Sequence, residues 1–240
     1  MTYINSFRTG LKEGLPICMG YFSVSFAFGI FAVESGLTVW QTVLISLFNL
    51  TSAGQLAGVP IIASGGSFVE LALSQLVINS RYSLMSVALG QKLSREVTLP
   101  EKLFIAYGNT DEIFAVSVSN EGEIGTRYMA GLILLPVLGW TGGTLAGAVA
   151  GNILPAIVAS ALGIAIYGMF IAIVVPIAKK EKATALCVAT AILFSLAFKY
   201  VPFLSFVPSG FTIIISAVIA SVIFAIAAPI KTDEEEQSNG

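Results

Sequence analysis

The sequence contains no histidine. That removes Ser–His and Cys–His nucleophilic pairs, and any metal or haem held by imidazole. It also lacks a Gly-x-x-x-x-Gly-Lys-Ser/Thr loop to cradle a nucleotide phosphate. Cysteine is scarce: Cys18 and Cys187 both lie in apolar runs, which fits buried thiols and gives no disulfide framework. Charge is the third shortage. Only 11% of residues are Asp, Glu, Lys or Arg, against roughly 25% in a soluble domain. The net charge of −2 gives nucleic acid nothing to bind. What fills the chain instead is apolar, 56% of it, at a mean hydropathy of +0.89. This is the composition of an all-α integral membrane protein, with no enzyme chemistry or cofactor indicated.

Eight apolar segments are legible, at 14–33, 39–63, 67–91, 102–119, 127–150, 155–178, 183–201 and 209–230. The first follows Arg8 and Lys12 like a signal peptide, but it is long enough to span and no small-residue cleavage site follows; it reads as an uncleaved first helix. Two segments depart from a simple span. The second carries Asn49-Leu50-Thr51-Ser52-Ala53-Gly54-Gln55, then Gly58 and Pro60, and Gly108-Asn109-Thr110-Asp111-Glu112 interrupts the fourth. Polar, glycine-containing backbone at membrane depth is tolerated only inside protein or beside a wet cavity.

Basic residues supply an independent count of crossings. They cluster at Arg8/Lys12, Lys92/Arg95/Lys102 and Lys179/Lys180/Lys182, with Lys231 near the end. If every cluster faces the cytoplasm, an even number of crossings separates each pair. Three segments lie in each interval, so one of each three fails to cross. The second and fourth segments are the natural candidates. The expectation is about six full transmembrane helices plus two interrupted or re-entrant segments, with seven or eight complete helices as the alternative. Residues 1–230 then form a single transmembrane domain, and 231–240 an acidic cytoplasmic tail. The loop at 121–127 carries mixed charge and fits either side.

In the fifth segment Gly139, Gly143, Gly147 and Gly151 recur every four residues, placing one bare backbone stripe on a helix face. It serves either packing within the subunit or docking of a second protein. Pro155, Pro176, Pro202 and Pro208 mark helix ends or kinks.

Arg81 lies near the middle of the third segment, and a guanidinium there costs roughly 2.5–3.5 kcal/mol on insertion scales. Lys92, eleven residues on, marks the surface, about 16 Å away along a helix, so snorkelling barely reaches it. The carboxylates able to compensate it in an apolar setting belong to Thr110-Asp111-Glu112. Asp111 and Glu112 suit proton coupling or capture of a substrate ammonium, or a permanent ion pair with Arg81 that only holds the fold. Asn79 stands about 200° from Arg81 on an unbroken helix, sharing its face with Gln75 and Tyr82. Either the helix is distorted, the reading favoured here, or the two side chains serve different neighbours. Asn49, Thr51, Ser52 and Gln55 form either a neutral polar wall of a binding site or an interhelical hydrogen-bond patch. Two interrupted segments are the sequence pointer to a transporter's binding site. Phe26, Phe28 and Phe114 are candidates for its lining or plain packing, while Glu34, Glu70, Glu96 and Lys199 read as interfacial.

The motifs Gly14-Leu15-Pro16, Phe28-Gly29, Ser52-Ala53-Gly54-Gln55, Asn79-Ser80-Arg81, Thr110-Asp111-Glu112-x-Phe114-Ala115 and Leu162-Gly163-Ile164 together resemble the AzlC/YgaZ family. The resemblance runs over most of the chain in the same order. It implies the large subunit of a branched-chain amino-acid exporter in a bacterial cytoplasmic membrane, moving valine, leucine, isoleucine or methionine. It also implies a small AzlD/YgaH-like membrane subunit as partner. The family often has histidine after the arginine, where this chain has Tyr82, so a histidine-based proton step cannot operate. The expected function is therefore a secondary exporter of aliphatic amino acids driven by the proton gradient. Arg81 would serve the substrate carboxylate, and Asp111 or Glu112 the ammonium or the proton. The rivals are a passive channel for small polar solutes and a non-transporting membrane subunit.

Overall fold

The computed structural model describes residues 3–155, 157–158, 168, 171, 174–176, 178–204 and 206–228. Strand β1 (Tyr3–Ile4) leads into α1 (Phe7–Glu34), and β2 (Glu123–Ile124) leads into α7 (Thr126–Ile153). The two short strands pair in parallel, Tyr3 with Glu123 and Ile4 with Ile124. Both helices therefore start on one face of the protein, the N-terminal face.

Their packing confirms that direction. Gly14 of α1 meets Leu132, Gly139 of α7 meets Cys18, and Gly143 and Gly147 meet the backbone at Phe22 and Phe26. The numbers on the two helices rise together, so the pair runs parallel. A Cβ at Gly14 would stand 2.7 Å from the Leu132 carbonyl oxygen, and one at Gly139 2.6 Å from that of Cys18. The glycine stripe thus packs helices within the subunit. At about 42 Å apiece, 28 residues at 1.5 Å, both helices cross a hydrocarbon core of about 30 Å.

Between them in sequence comes α4 (Phe68–Lys92), capped by Ser67, which accepts the Glu70 amide at 3.1 Å. Its end sits by the strands: the Ser94 amide donates to the Ile124 carbonyl, and Lys92 Nζ donates to the Asn120 carbonyl at 2.9 Å. So α4 descends from the distal face to the N-terminal face.

The two interrupted segments are helical hairpins. Helices α2 (Val39–Phe48) and α3 (Ser52–Ala63) have 10 and 12 residues, about 15 and 18 Å, too short to span. Thr38 and Gln41 form a capping box at the start of α2, and Thr51 caps α3. The chain leaves α1 on the distal face, turns at 49–51 near Gln75 and Asn79, and returns to the distal face. Helices α5 (Leu99–Tyr107) and α6 (Asp111–Ser119) mirror this from the N-terminal face, turning at Gly108–Thr110. Tyr128 ties α6 back to that face, accepting from Asn120 at 2.8 Å and donating to Glu13 at 2.5 Å. Both re-entrant segments expected from the basic clusters are present, and the loop at 121–127 lies on the N-terminal face with Arg8, Lys12, Lys92 and Lys102.

Helices α8 (Lys182–Tyr200) and α9 (Ser209–Ala227) pack together through a short link that includes a 3-10 turn, Pro202–Leu204. The Gly210 amide donates to Glu70 Oε1 at 2.7 Å, which fixes the start of α9 on the distal face. Glu70 is thus 4% exposed rather than interfacial. The positive ends of two helices, α4 and α9, stabilise its carboxylate there. Ile153 lies on the distal face and Lys182 on the N-terminal face, as a sixth crossing requires. That expected span, at 155–178, falls largely outside the described residues, as do Leu162-Gly163-Ile164, Lys231 and the tail. The fold is an all-α membrane protein of long helices around two opposed hairpins. Two apolar cores flank the midplane, one around Tyr128, Ile113 and Leu132, the other around Phe28, Val59 and Leu37.

Candidate functional site

A cavity of about 660 Å³ lies between those cores, at the level where the hairpin tips meet. Helix α1 contributes Pro16, Ile17, Tyr21 and Val24 to its wall; Leu50, Ser52 and Ala53 come from the tip and first turn of α3. Arg81 and Tyr82 of α4, Thr110 of the second tip, Asp111 and Glu112 of α6, and Trp140 of α7 also line it. Gly20 of α1 lines it too, and a Cβ there would meet nothing within 4 Å.

Arg81 Nη1 stands 2.5 Å from Asp111 Oδ1, the only salt bridge among the described residues, and its Nη2 donates to the Tyr82 hydroxyl at 3.3 Å. Both charged side chains keep about half their surface exposed, 48% and 45%. The isolated arginine is therefore compensated across 30 residues of sequence, by the first helical residue of α6. An acid at that position is favoured by the positive end of its own helix.

Glu112, the next residue, is held differently. The Tyr21 hydroxyl donates to its carboxylate and lies 2.7 Å from Thr110 Oγ1. The Tyr21 ring meets Trp140 edge-on, centroids 5.3 Å apart. Trp140 in turn donates its indole N–H to Gln55 Oε1 at 3.0 Å, and Gln55 Nε2 donates to Ser46 at 2.8 Å. Ser46 and Thr144 share a hydrogen bond of 2.7 Å, which completes the seat of the α2–α3 hairpin on α7.

A second network seats that hairpin on α4. Thr51 donates to Asn79 Oδ1 at 2.8 Å, and Asn79 and Asn49 both donate to Gln75 Oε1, at 3.1 and 3.4 Å. Gln75 Nε2 donates to the Gly54 carbonyl at 2.9 Å. Of the residues singled out in sequence, Arg81, Thr110, Asp111, Glu112 and Ser52 meet around the cavity. Asn49, Thr51, Gln55 and Asn79 lie outside its wall, as hydrogen-bonded joints between helices. Helix α4 is unbroken, and Arg81 and Asn79 serve different neighbours, not a distorted helix. Phe28 lies in the distal core and Phe114 against the other, so neither lines the cavity.

Tyr21 and Trp140 were not among the sequence candidates. Their only signal was general: a tyrosine hydroxyl or an indole N–H in mid-span needs a partner. What the arrangement can do is hold a zwitterion at two poles. The amides of Ser52 and Ala53 begin α3 and have no partner within that helix, so that turn favours an anion beside Arg81. The carboxylates of α6 favour a cation, and Ile17, Val24 and Leu50 offer an apolar wall.

Comparison with known proteins places the chain among membrane proteins. Residues 16–154, more than half of the chain, match the family described as AzlC protein. An "Uncharacterized membrane protein" of Archaeoglobus fulgidus is 35% identical over 173 residues, covering 71% of this chain and 75% of its own. "Inner membrane protein YgaZ" of Escherichia coli K12 is 29% identical over 200 residues, 80% of each chain. No solved structure matches.

Proposed function

This chain belongs to the AzlC family of membrane proteins, and from that premise we propose that it is the large subunit of an exporter of aliphatic amino acids. Family membership supports a role in membrane transport. The finer reading rests on the midplane cavity between two re-entrant tips, where a guanidinium and two carboxylates face apolar side chains. A substrate carboxylate would take the Arg81 side and the first turn of α3. The ammonium would take the acidic side at α6, and the aliphatic side chain the wall of Ile17, Val24 and Leu50. A cavity of about 660 Å³ falls within the range of small-ligand sites.

Hairpins inserted from opposite faces give each side of the membrane its own movable barrier, which alternating access requires. The basic residues Arg8, Lys12, Lys92, Arg95, Lys102 and Arg127 share the N-terminal face, which orients it toward the cytoplasm in a bacterial cytoplasmic membrane. The proton gradient is the proposed driving force, with a small AzlD/YgaH-like membrane subunit as partner.

Labelled leucine in proteoliposomes tests this reading, with and without the small subunit, at two external pH values. Export predicts flux that responds to the pH gradient and is stimulated by unlabelled leucine on the opposite side. Flux without trans-stimulation identifies a passive channel instead, and no flux under any condition leaves a non-transporting subunit.

A further inference from the structure

The cavity wall carries one positive and two negative groups, and geometry separates the roles of the two acids. Asp111 is engaged by Arg81 at 2.5 Å. An ammonium drawn to Asp111 would have to share a carboxylate already neutralised by the guanidinium, and would meet that guanidinium's like charge. Glu112 has no cation within ion-pair distance among the described residues. It is held by a neutral phenol, Tyr21, with the Thr110 hydroxyl alongside.

We infer that Glu112, Tyr21 and Thr110 form a dedicated subsite for a primary ammonium group, distinct from the Arg81–Asp111 pair. The inference deepens the transporter reading and rests on it for the identity of the natural ligand. An ammonium arriving at Glu112 exchanges a neutral donor for a charged one, and charge-assisted hydrogen bonds are roughly twice as strong. The Tyr21 and Thr110 oxygens remain as acceptors for its other two N–H groups. The opposite pole is tied elsewhere: Thr51, which caps α3, bonds to Asn79 on the same helix as Arg81. Tyr21 is accordingly a ligand-contacting member of the subsite. Before the ammonium arrives its hydroxyl holds the Glu112 carboxylate between α1 and α6, and its ring packs against Trp140.

This assignment makes an amine without a carboxylate a sufficient ligand. The probe is isopentylamine, the decarboxylated form of leucine, added to the full chain in lipid nanodiscs. The chain has two tryptophans, and Trp40 is largely exposed at the start of α2, so Trp40→Phe leaves Trp140 as sole reporter beside Tyr21. The expected result is a saturable change in Trp140 emission. In the same background Glu112→Gln should raise the half-saturating concentration about tenfold or more, the scale of one lost charged hydrogen bond. Tyr21→Phe, which removes one oxygen and keeps the ring, should raise it about threefold to tenfold. If Glu112→Gln fails to fold, Tyr21→Phe decides alone. No saturable response, or equal half-saturation in the variants that fold, overturns the subsite. Leucine counterflow on the same preparation separates the two readings. Amine binding through Glu112 without leucine movement keeps the subsite and removes the transport assignment. Leucine movement with amine binding indifferent to these variants does the reverse.

Discussion

Tyr107, at the end of α5, donates its hydroxyl to the backbone carbonyl of Leu47, near the end of α2, at 2.5 Å. The tips of two hairpins that enter from opposite faces are thereby fastened to each other. Because Leu47 contributes only its carbonyl, the clasp depends on Tyr107 alone. Tyr107→Phe should cost about 1 kcal/mol of tip-to-tip attraction, about a fivefold shift toward separated tips. A cysteine placed at Ala53 would report it as faster labelling by a water-soluble thiol reagent, measured in a background lacking Cys18 and Cys187. Unchanged labelling would show that the clasp does not hold the tips together.

Arg81 and Asp111 invite a comparison of stability with transport. Since both keep about half their surface exposed, their pairing should contribute only about 1 kcal/mol to folding after solvent screening. Arg81→Ala should therefore insert and melt within a few degrees of the unmodified protein, while leucine flux falls by more than about tenfold, the scale of a lost charged contact. A melting temperature lowered drastically, with flux per folded molecule preserved, would make the pair a fold-holding clamp.

The glycine stripe makes a positional prediction. At Gly139 a Cβ meets the backbone of Cys18, which cannot swing aside, whereas at Gly142 nothing lies within 4 Å. Gly139→Ala should destabilise the protein by about 1–3 kcal/mol in thermal unfolding. Gly142→Ala should leave it unchanged or raise it by about 0.5–1 kcal/mol, the helix gain of alanine over glycine. Equal effects at the two sites would contradict the close parallel packing of α1 and α7.

Glu70 caps a helix to which it does not belong. Glu70→Ala removes the acceptor for the Gly210 amide and should cost about 0.5–2 kcal/mol, as other lost N-caps do. Glu70→Gln keeps an acceptor and loses the charge, so it should fall between. Limited proteolysis of the 201–208 link reads the same loosening, and indifference of that link to Glu70→Ala would refute the cap.

Much of this architecture was legible because membrane burial is unforgiving. The parity of basic clusters required a non-crossing element on each side of Lys92, and Asn49–Gln55 and Gly108–Glu112 were the two stretches that could supply one. Arg81 needed a carboxylate, and only Asp111-Glu112 offered one in an apolar segment. The roles of the neutral polar residues were not legible, since an amide can be satisfied by many partners. Gln55 finds Trp140 across 85 residues and Thr51 finds Asn79 across 28, contacts that no spacing rule encodes. Spacing alone left Asn79 with two outcomes, a distorted α4 or a neighbour of its own, and the second holds because the start of α3 occupies that face. Glu70 looked interfacial from its place near a segment end, and its burial depends on where α9 docks.

The parallel pairing of α1 with α7 has a consequence for biogenesis. The two contact faces are separated by about 120 residues, which a ribosome adds in roughly 6–24 seconds at about 5–20 residues per second. Throughout that interval the first helix has been released with the face that α7 covers still open, and both polar tips have emerged before the wall that shelters them. A nascent chain stopped before Thr126 should therefore leave Ser46 and Gln55, whose partners Thr144 and Trp140 lie on α7, open to water or to the insertion machinery, detectable by modification of cysteines placed there. Protection should arrive only once Ile153 has left the tunnel, so a helix made about 120 residues later is the one that seals the first.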